Sequence, residues 1–370
     1  MTGSKEILYR VFEHIHNDPE LSLQETRTSG FLASELRACG YALTENIGGT
    51  TGVLGVIDSG KPGPFLVLRA DMDALPYVVD GEKIAKHTCG HDSHCAMVMT
   101  AAAYFAERGI KKGRLGILFQ PAEETLEGAA KMAESGVLDA ADEMIGLHIR
   151  PKDELRFGTA SSALYHSAGG VCYMTVKGRE AHGARPHQGI NTIECAASII
   201  QAINSIKLDP RVSHSVKVTS IKGGGLATNI IPDECSLIFD RRSQNNPVLR
   251  DMVEKIKKAA YGVASAFDAE LELRFKTSPA AEFDPEMIDL MHSAIESVLG
   301  EGADVGPVYT PGGEDFHQYK QLLPGVKAEF IGIGAEASPG LHAFDMEFRH
   351  EAMEQGADIL IEAVSKRLCE

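Results

Sequence analysis

His87-Thr88-Cys89-Gly90-His91-Asp92 sets a thiol and an imidazole two residues apart around a glycine, directly ahead of a helix-like run. Downstream come Gln120-Pro121-Ala122-Glu123-Glu124 and the histidines His148 and His342. Thiolate, imidazole and carboxylate are soft, borderline and hard donors, and a chain offering all three suits a pair of divalent metals. A dinuclear site needs about eight to ten ligand positions and an anionic bridge to offset the repulsion between its ions. Cys89 as thiolate supplies a bridge, and His91 binds through a neutral ring nitrogen. Gly90 lets the backbone turn so that both heads converge. The order Cys-x-His, Glu-Glu, His, His is the pattern of a metal-dependent hydrolase.

Each piece also has a plainer reading. Short Cys–His pairs arise often without a ligand role. A Cys–His nucleophilic dyad is an alternative, although residues two apart rarely align as nucleophile and base. Adjacent glutamates usually open a solvated helix. Here they follow an apolar strand and a proline, which puts them at a strand end facing a crevice. One carboxylate there can bind metal while its neighbour takes a proton from water and delivers it to a leaving amine. His148 and His342 each follow a short apolar segment, and a single histidine so placed is more often a core or surface residue than a ligand.

The elements that must position these groups alternate. Residues 5–16 and 24–39 read as helices, 51–57 and 64–69 as strands, 93–107 as a helix and 114–119 as a strand. Residues 126–135 then read as a helix and 143–147 as a strand. Continuous apolar strands between helices predict an α/β domain with a mostly parallel central sheet and helices on both faces. Ligands then gather at the carboxyl ends of the strands, where Asp71, Asp73, Glu123, Glu124 and His148 fall. From about residue 168 the order becomes strand 171–176, helix 191–206, strands 215–221 and 234–241, helix 248–267 and strand 270–275. That is the ferredoxin-like βαββαβ unit. Gly169-Gly170 and Thr277-Ser278-Pro279 read as hinges around it. Helix and strand alternation resumes over 280–370 and ends in an amphipathic helix at 350–368. The domains are therefore expected as 1–167 with 279–370, discontinuous and metal-binding, and 168–278, inserted as a lid.

The 370 residues exceed one ordinary core. Their formal charge of −16, from 36 basic and 52 acidic residues, argues against nucleic acid or an anionic membrane as partner. A small anionic substrate is still allowed, because one local arginine outweighs the average field. The N-terminal residues lack the order of a signal peptide, and no apolar run reaches membrane-spanning length. The expected location is cytoplasmic. Seven scattered cysteines form no disulfide framework; six read as apolar fillers, with Cys89 the exception.

The assembled motifs resemble the M20 metallopeptidase and amidohydrolase family, in the branch of aminoacylases, auxin-conjugate hydrolases, aminobenzoyl-glutamate hydrolases and N-acetyl-diaminopimelate deacetylases. The resemblance runs through His16-Asn17-Asp18-Pro19-Glu20, Arg69-Ala70-Asp71-Met72-Asp73, Cys89-Gly90-His91-Asp92, Pro121-Ala122-Glu123-Glu124, Gly146-Leu147-His148, Asn229-Ile230-Ile231-Pro232, Glu314-Asp315-Phe316 and Leu341-His342. It implies that Cys89, His91, Glu124, His148 and His342 hold two divalent ions per subunit (Zn, Mn, Co or Ni), with Cys89 as the bridge. It makes Glu123 the general base and acid. Asp73 and Asp92 become carboxylates that orient ligating groups. His182 becomes the lid histidine that polarises the scissile carbonyl in the partner subunit's site. Asn229 and Arg242 become holders of the substrate carboxylate. A homodimer through the lid is implied too, and the apolar helix faces of 191–206 and 248–267 either pair across its two-fold axis or cover the lid's own sheet. Lys86-His87-Thr88 stands where the family often has Met-His-Ala, and the segment from Pro76 to His87 is short.

The expected reaction is hydrolysis of the amide of an N-acyl amino acid. The alternatives are a dipeptidase or carboxypeptidase on the same scaffold, or a non-catalytic ligand-binding relative.

Overall fold

The computed structural model describes residues 2–370, with side chains from residue 5 onward. The chain packs as two compact units. One comprises Met1–Tyr165, Glu282–Thr310 and Glu314–Glu370, the other His166–Ala281 with Pro311–Gly313. The first unit is thus drawn from both ends of the sequence.

Its sheet runs, edge to edge, Ala42–Ile47, Gly52–Asp58, Arg114–Gln120, Phe65–Asp71, Glu143–Pro151, Lys327–Ala337 and Ala160–Ser161. The four strands from 114–120 to 327–337 are mutually parallel, and the margins are antiparallel. Alternate side chains serve opposite faces. Leu66 and Leu68 join the helices Thr2–His16, His91–Arg108, Pro285–Leu299 and Glu351–Leu368 in one core. Phe65 and Val67 join Gly128–Glu134 and His317–Leu322 in the other. Burial on both faces explains the apolar run Phe65–Leu68, and all seven residues of Phe65–Asp71 are buried, Arg69 and Asp71 included. Ala42–Ile47 is mostly exposed, with Thr44, Glu45 and Asn46 in its middle, so hydrophobicity alone does not mark it as a strand. His91–Arg108 is buried on nearly every side through its first three turns, as a helix at the centre of a large core must be.

The second unit carries a four-stranded sheet ordered His214–Gly223, Glu234–Ser243, Ala168–Lys177 and Glu270–Ser278, all antiparallel. Thr192–Asn204 and Asn246–Ala266 cover one face, completing βαββαβ. Both helices start at asparagine caps. Asn191 accepts from the backbone N–H groups of Ile193 and Glu194, and Asn245 from that of Val248. Their apolar stripes (Cys195, Ile199, Ile203; Leu249, Met252, Ile256) pack with Cys172, Met174, Leu237 and Phe239. Those faces cover their own sheet and are not free to pair across a two-fold axis.

The expected hinges at Gly169-Gly170 and Thr277-Ser278 are rungs of the sheet, Gly169 opposite Ser278 and Gly170 opposite Thr277. Gly170 has φ 138°, and a Cβ there would lie 2.0 Å from the Lys276 carbonyl oxygen. The glycine permits a close strand approach, not a bend. Among the described residues no helix is long and apolar enough to cross a membrane.

Candidate metal centre

Cys89 ends the loop that enters helix His91–Arg108, and Gly90 caps that helix with φ 92°. A side chain at 90 would require a left-handed backbone, and its Cβ would meet Ile149 Cδ1 at 2.5 Å. Glycine here turns the chain so that Cys89 and His91 face one point. His148 lies inside strand Glu143–Pro151 and not beyond its end. Its carboxyl-end position still aims the ring at Cys89, with Nε2 3.4 Å from Sγ. His342 arrives from the loop after strand Lys327–Ala337 and puts Nε2 3.2 Å from the same sulfur. Glu124 Oε1 is 3.5 Å from His342 Nε2 and 3.9 Å from His91 Nε2.

Two triads result, Cys89–His91–His148 and Cys89–Glu124–His342, each with donor atoms within 4.8 Å of one another. The thiol belongs to both. His91 Nε2 and Glu124 Oε1 are buried without a hydrogen-bond partner, a costly condition for polar atoms unless a cation meets them. Burial pushes the Cys89 thiol well above its usual range, and Glu124 adds to this. Burial likewise lifts Glu124 to about 7 and holds His148 well below the usual imidazole range. A divalent ion reverses the first two effects and binds the neutral ring of the third. The donor set therefore fits two cations sharing a thiolate.

Asp73 organises the centre. Its backbone oxygen is 2.9 Å and its Oδ1 3.2 Å from His91 Nδ1, so the proton of the neutral ring sits on Nδ1 and Nε2 is left as the donor. Its two carboxylate oxygens also accept the backbone N–H groups of Glu123 and Glu124 at 3.2 and 3.1 Å. Asp92 makes no hydrogen bond to the side chains of either triad. It bonds His16 Nδ1 at 2.7 Å and its neighbour's N–H at 2.8 Å. Helix direction explains the difference. One residue further round the helix, the Asp92 side chain leaves the centre and meets helix Thr2–His16.

Glu123 follows Ala122, whose φ of 58° is unusual for a residue with a Cβ. Glu25, fully buried, accepts the Ala122 N–H at 3.0 Å and that of Leu23 at 2.9 Å. This clamp holds a turn that costs about 1–3 kcal/mol of strain. The Glu123 carboxylate lies within 4.8 Å of the donor atoms of His91 and Glu124 and accepts the Asp315 N–H at 3.3 Å. Burial drives its pKa well upward, with Glu314, Glu124 and Asp315 adding to the effect.

A polar layer beneath the centre escapes a reading of motifs one at a time. Arg69, fully buried, bonds Gln120 at 2.9 Å, Asp71 at 2.6 Å and Asp315 at 2.9 Å. Gln120 donates to Asp315 at 2.7 Å and accepts from Tyr319 at 3.0 Å. His94 bonds Asp71 through Nδ1 at 2.6 Å and accepts the Ile149 N–H on Nε2 at 3.1 Å. The available signals are an arginine inside an apolar strand and a second histidine one helical turn after His91.

His182, Asn229 and Arg242 all belong to the second unit, and all are exposed. His182 pairs with Ile230 in a short two-strand ladder, and Gly183 donates to the Asn229 carbonyl at 2.8 Å, so these two segments are neighbours. Arg242 is turned to Asp240 at 3.1 Å. Arg241 next to it points inward, fully buried, on the Lys276 carbonyl at 2.9 Å.

The profile of Peptidase family M20/M25/M40 matches residues 67–366. "Thermostable carboxypeptidase 2" of Saccharolobus solfataricus is 30% identical over 86% of this chain and 84% of its own length. "N-acetyl-L-cysteine deacetylase" of Bacillus subtilis is 31% identical over 87% and 80%. Among solved structures, the Bacillus subtilis YXEP protein, described as a dinuclear metal-binding peptidase from the M20 family, superposes with a TM-score of 0.78. It shares 25% identity over 100% of this chain and 99% of its own. With a matched profile across most of its length, the chain belongs to Peptidase family M20/M25/M40 and is a metal-dependent hydrolase of amide bonds.

Proposed function

We propose that this enzyme releases an amino acid from an N-acyl amino acid, using two divalent ions held by Cys89, His91, Glu124, His148 and His342. The observation that carries this reading is the pair of triads meeting at one sulfur, with a further buried carboxylate, Glu123, beside them. The thiolate and imidazole donors favour Zn, Co or Ni over Mg or Ca, and the carboxylate of Glu124 still admits Mn. When bound, the ions supply Lewis acidity that makes water a competent nucleophile near neutral pH.

Glu123 then has the work of a proton carrier. Its carboxylate takes the proton released as water adds to the carbonyl carbon and returns it to the amine nitrogen, so that the amine leaves neutral. The Asp315 N–H fixes one of its oxygens. His182 is suited to the developing oxyanion. The Ala184 N–H donates to its Nδ1 at 3.0 Å, which places the proton of the neutral ring on the outward Nε2. Exposed Asn229 and Arg242 offer an amide and a guanidinium for the substrate carboxylate. The second unit leaves His214–Gly223 at its sheet edge with Ile221 half exposed. That edge supports a homodimer in which each copy offers these residues to the other.

Glu123→Gln should lower kcat by about 10²–10⁴ while elemental analysis still finds two ions per chain. Normal turnover in that variant would remove Glu123 from the mechanism. The thermostable carboxypeptidase relative favours peptides as a second substrate class. N-acetyl amino acids assayed beside dipeptides and C-terminal peptides decide between the two.

A further inference from the structure

The ligands differ in how firmly they are held. His91 and His148 are buried, on a helix and a strand. His342 lies outside regular structure, its side chain is 53% exposed, and its backbone has φ 66°. A non-glycine residue keeps that left-handed conformation only where its surroundings fix it.

Two hydrogen bonds do so. The His342 N–H donates to the Thr88 carbonyl at 2.8 Å. The His342 carbonyl accepts the Tyr77 hydroxyl at 2.8 Å. The Tyr77 oxygen is also 2.6 Å from Thr88 Oγ1. Since a carbonyl can only accept, the tyrosine proton goes to His342, and Thr88 is the donor in the second contact. Tyr77 and Thr88 therefore grip the peptide groups on both sides of the His342 Cα. Thr88 is also bonded directly to Cys89 in the chain, so the grip ties two ligands of one triad together.

The ring is anchored in turn. Tyr77 lies on the hairpin Leu75–Val79/Glu82–Lys86 and meets Phe344 edge-on at 5.3 Å. Lys86 sits 4.4 Å over Phe344 and donates to its carbonyl at 2.6 Å. The hairpin and the His342 loop are thereby clamped at two points, and the hydroxyl of Tyr77 is delivered to the ligand's backbone.

We propose that Tyr77 is a positioning residue for one metal only, the ion of the Cys89–Glu124–His342 triad, acting through its hydroxyl on the His342 carbonyl. The inference rests on the two-ion reading above. It also assigns a role to the short segment between Pro76 and His87: this segment sets the affinity of the more exposed site.

The test uses the metal-free full-length enzyme titrated with Zn²⁺ by calorimetry against a competing chelator. Wild type should bind two ions. Tyr77→Phe, which keeps the ring against Phe344, should bind one ion as wild type does and the other about 10–100-fold more weakly, the usual effect of losing a group that orients a ligand. The thermal unfolding of the metal-free variant should match wild type. Unchanged affinities at both sites overturn the proposal, as does a parallel fall at both sites with lower metal-free stability. Tyr77→Leu separates hydroxyl from ring: if only this variant loses affinity, packing is responsible and the hydroxyl role is refuted. Should wild type itself bind fewer than two ions, the two-ion reading has failed independently of Tyr77.

Discussion

The residues of the metal centre and those of the inserted unit carry their chemistry under opposite conditions. Cys89, His91, His148 and Glu123 are buried and fixed by neighbours on several elements. His182, Asn229 and Arg242 are exposed and held mainly by their own segments. Buried polar groups must satisfy one another, so the geometry of the first set declares its purpose. Solvent satisfies the second set equally well with or without a substrate. Its purpose is declared only by what it would meet.

Four variants test that contrast. The largest effect should come from Cys89→Ala, which removes the atom common to both triads. Metal content by elemental analysis should fall to nearly none, and turnover with it. If two ions remain at wild-type affinity, the sulfur is no bridge. Next, His182→Ala should cost about 10²–10³ in kcat, as for loss of an oxyanion donor, with both ions retained. A loss of metal in that variant would erase the proposed division of labour. Smallest is the difference between two aspartates. Asp73→Asn should weaken metal binding about 10–100-fold, whereas Asp92→Asn should alter it less than about threefold, because its partner is His16. Equal effects would show that helix direction does not separate their roles.

Much of this site is legible in the sequence because its residues sit in short contiguous motifs at strand and helix ends. Cys-x-His and Glu-Glu are visible as spacings, and the unbroken apolar runs give the parallel strands that aim them. The edge strand Ala42–Ile47 is not legible, since its pairing comes from the neighbouring strand and not from its own hydrophobicity. The same holds for hairpin Leu75–Val79/Glu82–Lys86, whose exposed Val78 and flanking polar residues look like a loop. The Arg69–Asp315–Gln120–Tyr319 layer joins positions hundreds of residues apart, and no local pattern encodes such a meeting. The pairing of Asp92 with His16 is hidden for a related reason. Adjacency in sequence to His91 implies little on a helix, where neighbours point about a quarter-turn apart.

Strand Lys327–Ala337 lies between Glu143–Pro151 and Ala160–Ser161 in the first sheet, although the whole second unit separates it from both in the chain. During synthesis the Glu143–Pro151 edge must therefore wait, unpaired and apolar, while the inserted unit emerges and folds, which is the interval most open to misassembly. His342 follows that late strand directly. Of the five proposed cation donors, His342 is therefore the last to be made, well after the other four.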